Sequence, residues 1–292
     1  MELVTFKVKR TKADHTPIVI RPIGDIQWTG KKGATALDTL KRDIDSTLKQ
    51  DGYFIGLGDY IDFMSPSNRQ RKRAAALYDT AEDVIDDKAM DLVLELYDLA
   101  LKPTKGRWLG LLEGHHFSEL KTGDTTDMRL CQMLEAQFLG TSAAIRFQFD
   151  IHNRRSNVVL WAHHGTGGGT KACAPLNKLE NLSPYWGGFD VFLMAHTTKA
   201  PAVPINRVYP RWHGNGAPDL IHKKIYFVST GGYSKAYRVG NKQGRVPRGD
   251  YAEQGVMNPS VIGSPLLKIY PRLDYPKHKS SGEWAPEVRV EI

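Results

Sequence analysis

At 292 residues, 41% of them hydrophobic, the chain can bury one large α/β core as a single domain over 1–292. Its two cysteines, Cys131 and Cys173, exclude a disulfide framework, no apolar run nears the ~20 residues of a bilayer span, and MELVTFKVKRTK lacks the apolar stretch of a signal peptide, so a reduced, cytoplasmic protein with no membrane partner is expected. The net charge of +8 is uneven: residues 1–198 hold 25 Lys+Arg against 25 Asp+Glu, and residues 199–292 hold 15 against 7, a basic face that suits nucleic acid or plain solvent alike.

In chain order, LVTFKVKR and PIVIRPIGD read as two strands separated by the polar turn TKADHT. ATALDTLKRDIDSTLKQDG follows, with Leu37, Leu40, Ile44 and Leu48 at helical spacing and Gly52 as the stop. The strand YFIGLGDYID leads into SPSNRQRKR, read as a basic loop. The spacing then predicts a helix over 79–101, with Val84, Ile85, Leu92, Val93, Leu96 and Tyr97 as its apolar stripe and Pro103 as its end. After the strand RWLGLLEGHH, a further helix is expected over 127–138, with Leu130, Met133, Leu134 and Phe138 inward. The second half is strand-rich: IRFQFDI, NVVLWAHH, DVFLMAH, KIYFVST and PLLKIYP. The Gly/Pro-rich stretches 165–169 and 199–218 read as surface loops over a site. Alternation first and strands later predict a layered α/β sandwich.

Five of the apolar runs end in residues that bind metals. They are PIVIRPIGDIQ, YFIGLGDYID, RWLGLLEGHH, VVLWAHHG and VFLMAHTT, and their endings carry Asp25, Asp59, His115, His116, His163, His164 and His196. In α/β sheets ligands bind where the carboxyl ends of the strands open onto one crevice, so these endings are expected to meet. Carboxylates shared between two divalent ions ~3.5–4 Å apart, with imidazoles completing the shells, are what phosphoester hydrolysis needs. Of the doubled histidine, only one can face the metals, because adjacent strand residues point opposite ways. His164, which precedes Gly165, is favoured, with His163 the alternative.

The series Gly24-Asp25-Ile26-Gln27, Gly58-Asp59-Tyr60-Ile61-Asp62, Gly114-His115-His116, His164-Gly165 and Ala195-His196-Thr197-Thr198 resembles the ordered D-x-H, G-D-x-x-D, G-N-H-[DE], H and G-H-x-H motifs of the calcineurin-like metallophosphoesterases. The resemblance covers about residues 17–270, and HHGTGGGTK and FVSTGGYSKAY are similar to the versions common in phage and prophage genomes. It implies a four-layer αββα sandwich with two mixed β-sheets and the metal site at the C-terminal ends of the strands. It implies Asp25 as a terminal ligand of the first metal, Asp59 as the bridge, and His115, His164 and His196 as ligands of the second. It implies His116 as the acid that protonates the leaving oxygen or as the group that stabilises the phosphoryl, with Asp62 orienting its neighbours.

The chain departs from those motifs at Gln27 and Thr198, which stand where the family has imidazoles of the first metal, at His115 in place of Asn, and at Phe117 in place of an acid, with Glu119 close by. The first site is left with Asp25, Asp59, the Gln27 amide oxygen and a hydroxyl such as Thr198. That set is oxygen-rich and expected to bind weakly. The second site, with three imidazoles, suits Zn²⁺, Fe²⁺ or Mn²⁺. Two divalent ions are expected, Mn²⁺ ahead of Zn²⁺, Fe²⁺ or Mg²⁺.

The reaction expected is hydrolysis of a phosphoester by a metal-bound hydroxide, in a phosphodiesterase or nuclease acting on DNA or RNA. The alternatives are a phosphomonoesterase acting on a phosphoprotein or nucleotide, and a degenerate relative that binds nucleic acid or a partner without turnover. Arg69, Arg71 and Arg73 could track a phosphate backbone or be plain solvated surface. Tyr185, Trp186, Tyr209, Trp212, Tyr233 and Tyr237 are available for base stacking, although most read as packing. Asp124 and Asp127 read as helix caps, and His152, His213, His222 and His278 as ordinary loop or surface residues, with His213 able to approach substrate.

Overall fold

The computed structural model describes residues 1–9, 16–151, 154–169, 171–212, 218–270 and 286–292. The turn between the first two strands falls mostly outside these residues, as do His152, His213 and His278.

The two opening strands part company. Strand β1 (Glu2–Lys9) pairs in parallel with β5 (Ser142–Ile151), while β2 (Ile18–Ile23) joins a different sheet. That second sheet has five strands in the order β13-β12-β2-β3-β4, formed by β3 (Tyr53–Gly56), β4 (Trp108–Leu111), β12 (Leu266–Tyr270) and β13 (Glu287–Glu291) with β2. The first sheet has six strands, ordered β1-β5-β6-β7-β9-β8, through β6 (Arg154–His163), β7 (Val191–Met194), β8 (Ala202–Trp212) and β9 (Pro218–Ser229). Both sheets are mixed. β2, β3 and β4 run parallel, as do β6, β7 and β9, while β12 and β8 join antiparallel.

Burial on both faces explains why the strand sequences are unbroken apolar runs. Between the sheets, Ile18, Ile20, Ile55 and Leu57 meet Ile145, Phe147, Val158, Leu160, Leu193 and Val228. On the outer face of the five-stranded sheet, Ile23 and Phe54 pack with Leu40 and Ile44 of α1 (Leu37–Leu48), Leu92, Val93 and Leu96 of α3 (Asp79–Leu96), and Leu130 and Leu134 of α4 (Thr126–Leu134). On the outer face of the six-stranded sheet, Trp161, Phe192 and Phe227 cover Leu179 of α5 (Ala174–Leu182). Each large apolar side chain taken out of water contributes about 1.5–3 kcal/mol. The order of layers is helix, sheet, sheet, helix, the four-layer sandwich expected.

Several elements differ from the sequence reading. The basic stretch 65–73 is not a loop. It is α2 (Pro66–Ala74), capped by the Ser65 hydroxyl on the Asn68 amide, with no buried residue and hence no apolar stripe to reveal it. The stretch 199–218 is not a surface loop throughout, because 202–212 form β8, and Pro204 and Pro210 are tolerated there because β8 is an edge strand. Val84 is exposed on α3. That helix continues through a π turn at Tyr97–Leu101. α4 stops at Leu134, where Glu135 turns left-handed, so Phe138 lies beyond it beside Leu111. At the end of α1 the left-handed residue is Asp51, and Gly52 serves by its lack of a Cβ, which would meet the Thr47 methyl at 2.7 Å. Among the described residues no helix is long and apolar enough to cross a membrane.

Candidate metal centre

Asp25 follows β2, Asp59 follows β3, His115 and His116 follow β4, His164 follows β6 and His196 follows β7. These are the carboxyl ends of parallel strands, so the topology carries all six to one edge of the sandwich.

The turns that present them are strained. Of nine non-glycine residues with left-handed φ among those described, five are Asp25 (51°), Gln27 (48°), Asp59 (55°), His196 (67°) and Thr198 (50°). Each costs roughly 1–3 kcal/mol and persists only where the surroundings over-determine it. Here they do. The Asp25 amide donates to Gly58 O (3.0 Å), the Gln27 amide to Asp59 O (2.9 Å), and the Val261 amide to Thr198 O (2.8 Å). Gly58 (φ 91°) and Gly114 lie back to back, and a Cβ on Gly58 would sit 2.6 Å from the Gly114 Cα.

The donor atoms converge in two sets, His115/His164/His196 and Asp25/Asp59/His164, each with its donors within 4.8 Å of one another. The Nδ1 atoms of His115 and His196 are 3.3 Å apart. His164 donates from Nδ1 to the Leu57 carbonyl (2.6 Å), which frees Nε2 for a metal. Asp59 Oδ1 accepts from the His115 and His116 amides, and Asp25 Oδ2 accepts from the His196 amide (2.7 Å). The remaining atoms, Asp25 Oδ1, Asp59 Oδ2 and His164 Nε2, are buried without a hydrogen-bond partner. Asp59 Oδ2 lies 3.3 Å from His164 Nε2, a charge contact that lacks hydrogen-bond direction. Orphaned polar atoms of this kind are costly unless a cation joins them. Two carboxylates and three imidazoles are a donor set that fits Mn²⁺, Fe²⁺ or Zn²⁺.

Electrostatics point the same way. Burial pushes the Asp25 carboxyl up to about 7, more than the nearby His164 charge pulls it down. Against its own burial, Asp59 is held below the usual carboxylate range by His164, and against its burial His164 is raised to about 9 by Asp59. Burial and the His164 charge lower His115, and they lower His196 to about 4. Burial thus favours the neutral forms of Asp25, His115 and His196, while Asp59 favours the charged form of His164.

The other expected residues take varied positions. His116 stands half-buried at the rim, its Nδ1 2.8 Å from Asp62 Oδ1 and its Nε2 3.8 Å from Asp59 Oδ2. Desolvation notwithstanding, the Asp62 hydrogen bond and the Asp59 charge raise its pKa. Gln27 and Thr198, both half-buried, sit two residues past Asp25 and His196 on the same left-handed turns. His163 is turned away, stacked on Trp161 (5.6 Å) and accepting from the Gly165 amide. Tyr233 is buried and donates to Asp43 (2.7 Å), Trp186 packs on Trp161 and Phe189, and Tyr185, Tyr209, Trp212 and Tyr237 are exposed.

Of the three arginines, Arg69 bonds inward: Nη1 donates to the carbonyls of Met64, His115 (2.7 Å) and Phe117, and the guanidinium lies 3.8 Å over the Phe117 ring. Arg73 pairs with Glu119, and Arg71 is exposed. Arg69→Ala is therefore expected to cost about 2–3 kcal/mol of stability, because three carbonyls lose a charged donor, whereas Arg71→Ala stays within about 0.5 kcal/mol; paired denaturant titrations check this.

Asp127 is a contributor that sequence reasoning missed. It does not cap α4, since the Thr125 hydroxyl does that on the Met128 amide. Asp127 is buried and accepts from the Gly114 amide (3.1 Å), steadying the turn that carries His115 and His116. Asp124 instead pairs with Arg129. Nothing local in the sequence links Asp127 to Gly114.

No family model matches the chain, and no curated protein matches it. Among solved structures, Vps29 of Chaetomium thermophilum is similar at a TM-score of 0.31 and 11% identity over 94% of this chain and 95% of that one, a likeness too low to bear on function.

Proposed function

We propose that the chain is a metal-dependent phosphoester hydrolase with a preference for diesters. The observation that carries this is the convergence of Asp25, Asp59, His115, His164 and His196 in two donor sets that share His164, with Asp25 Oδ1, Asp59 Oδ2 and His164 Nε2 buried without a hydrogen-bond partner. In this reading Asp25, Asp59 and Gln27 would hold one divalent ion, and Asp59, His115, His164 and His196 would hold the other, donor sets that Mn²⁺ fits. Such ions supply neutralising charge for phosphoryl oxygens and acidify a water enough to attack at neutral pH. The chain's own residues do the rest. Asp62 holds the His116 ring by Nδ1 and favours its protonated form, leaving Nε2 to deliver a proton to the departing oxygen. The buried Leu57 carbonyl fixes the His164 tautomer, and the His115 and His116 amides fix the Asp59 carboxylate.

Stripping the protein with chelator, restoring Mn²⁺ and comparing an aryl phosphodiester with its monoester tests this. Metal-dependent turnover that is faster on the diester is expected. The substitution of two first-site imidazoles by Gln27 and Thr198 favours a second reading, a non-catalytic binding protein on this scaffold, and absence of turnover with metal bound would select it. His116→Ala is expected to lower turnover about 10²–10⁴-fold with metal content unchanged. The loss should be greater for a nucleoside leaving group, which needs its proton, than for an aryl one. Parallel loss of metal would make His116 a ligand instead.

A further inference from the structure

Residues 230–263 leave the metal-bearing turns and return to them. At the base, the Tyr233 amide donates to Asp25 O (2.9 Å), Val261 to Thr198 O (2.8 Å), Gly232 to Val261 O (2.9 Å) and Gly263 to Gly232 O (3.0 Å). The excursion between has only the short pair β10 (Lys242–Gln243) and β11 (Val246–Pro247) and one turn of helix α6 (Tyr251–Gln254). A connection this long with so little regular structure is uncommon in a compact fold and usually functional. It nevertheless has a defined shape. Tyr237 donates to Met257 O (2.7 Å), Arg238 pairs with Asp250, and the Arg248 amide donates to Asn241 O (3.1 Å).

The excursion is also basic, with Lys235, Arg238, Lys242, Arg245 and Arg248 against Asp250 and Glu253. Its first residues are fastened to the turn that follows Gln27 and carries Lys31 and Lys32. The Lys235 amide donates to Ala34 O (2.8 Å) and Ser234 bridges Thr35. Lys31, Lys32, Lys235, Lys242 and Arg245 are all exposed. These cations come from two segments fastened to each other and to the Asp25–Gln27 turn, five exposed charges rather than one or two. That distribution suits a chain of phosphates better than a single one.

We propose that Lys31, Lys32, Lys235, Lys242 and Arg245 form a track for the phosphodiester backbone of a nucleic-acid strand, which reaches the metal centre from the Asp25 side. The choice of nucleic acid over an acidic polypeptide rests on the hydrolase reading given above.

The test is binding of a fluorescent oligothymidylate in chelator, followed by anisotropy across a salt series, for wild type and for Lys235→Ala/Lys242→Ala/Arg245→Ala. Equal melting temperatures and equal Mn²⁺ binding establish that the variant is folded. Three lost phosphate contacts are expected to weaken binding at least about tenfold and to lower the log–log salt slope by about 2. Unchanged affinity and slope would overturn the track, as would no binding by wild type or equal competition by polyglutamate. Aryl diester turnover by a wild type that ignores the strand would remove the track and leave the hydrolase. Strand binding that the triple variant loses, in a protein with no aryl turnover, would keep the track and remove the hydrolase.

Discussion

Asp59→Asn is expected to bind Mn²⁺ more than ~100-fold more weakly than wild type and to lose about three decades or more of phosphodiester turnover. Outer-sphere substitutions around metal ligands already cost ~10–100-fold in affinity, and Asp59 is itself a member of the Asp25/Asp59/His164 donor set, which shares His164 with the His115/His164/His196 set. Its Oδ1 accepts the His115 and His116 amides and its Oδ2 is the buried atom without a hydrogen bond. An asparagine keeps the two amides only by putting its NH₂ at the Oδ2 position, where a donor now faces the place of a cation. The fold is expected to survive and the cation site to be lost. Several kcal/mol of charge stabilisation is at stake, and each 1.36 kcal/mol is tenfold in rate. Metal content after gel filtration and turnover decide it, and full activity of the variant would end the metal-pair reading.

The same pair sets how the cation-free protein responds to pH. Asp59 has a depressed pKa, so its contribution is present above the ordinary carboxylate value near 4 and is lost below it. His164 has a raised pKa, so its contribution is full below about 6.5 and is lost as pH rises through about 9. Asp25, raised to about 7, works against the fold as pH climbs from about 4 to 7. Asp59→Asn removes the first effect and weakens the second and third.

Gly114→Ala is expected to destabilise by about 3 kcal/mol or more, lowering the melting temperature by roughly 10 °C, and to abolish metal binding in whatever still folds. The added Cβ would land on the Asp59 amide nitrogen and Oδ1, contacts no real Cβ makes. Gly58, in the same turn as Asp59, also abuts Gly114, and the Gly114 amide is already held by Asp127. Gly187→Ala, with nothing within 4 Å of its new carbon, is the control and should change stability by no more than about 0.5 kcal/mol. Calorimetry of the two variants with and without Mn²⁺ checks both. A Gly114→Ala protein that melts and binds metal like wild type would mean the two turns are not in contact.

Much of the architecture was legible because its signals are local. Apolar runs of strand length that end in Gly and a polar residue are self-contained, and their alternation with amphipathic helices foretold the layers. Elements without such a signal were misread. α2 buries nothing, and β8 carries two prolines that only an edge position admits.

What the sequence by itself determined is which chemistry-bearing residues stand at strand ends: Asp25, Asp59, His115, His116, His164 and His196. Strand period alone set His163 and His164 on opposite faces. Only the tertiary structure decided that Asp127 would reach Gly114, that Arg69 would turn inward to three carbonyls, and that residues 230–263 would fold back on the turns of Asp25 and Thr198. Asp127 and Gly114 are 13 positions apart, Arg69 and His115 46, Thr198 and Val261 63, and Asp25 and Tyr233 more than 200. Their partners are backbone amides and carbonyls, which every residue carries. Hydrophobic periodicity is written in side-chain identity and survives in one dimension, whereas a hydrogen bond to a distant backbone group exists only once packing has brought the two together.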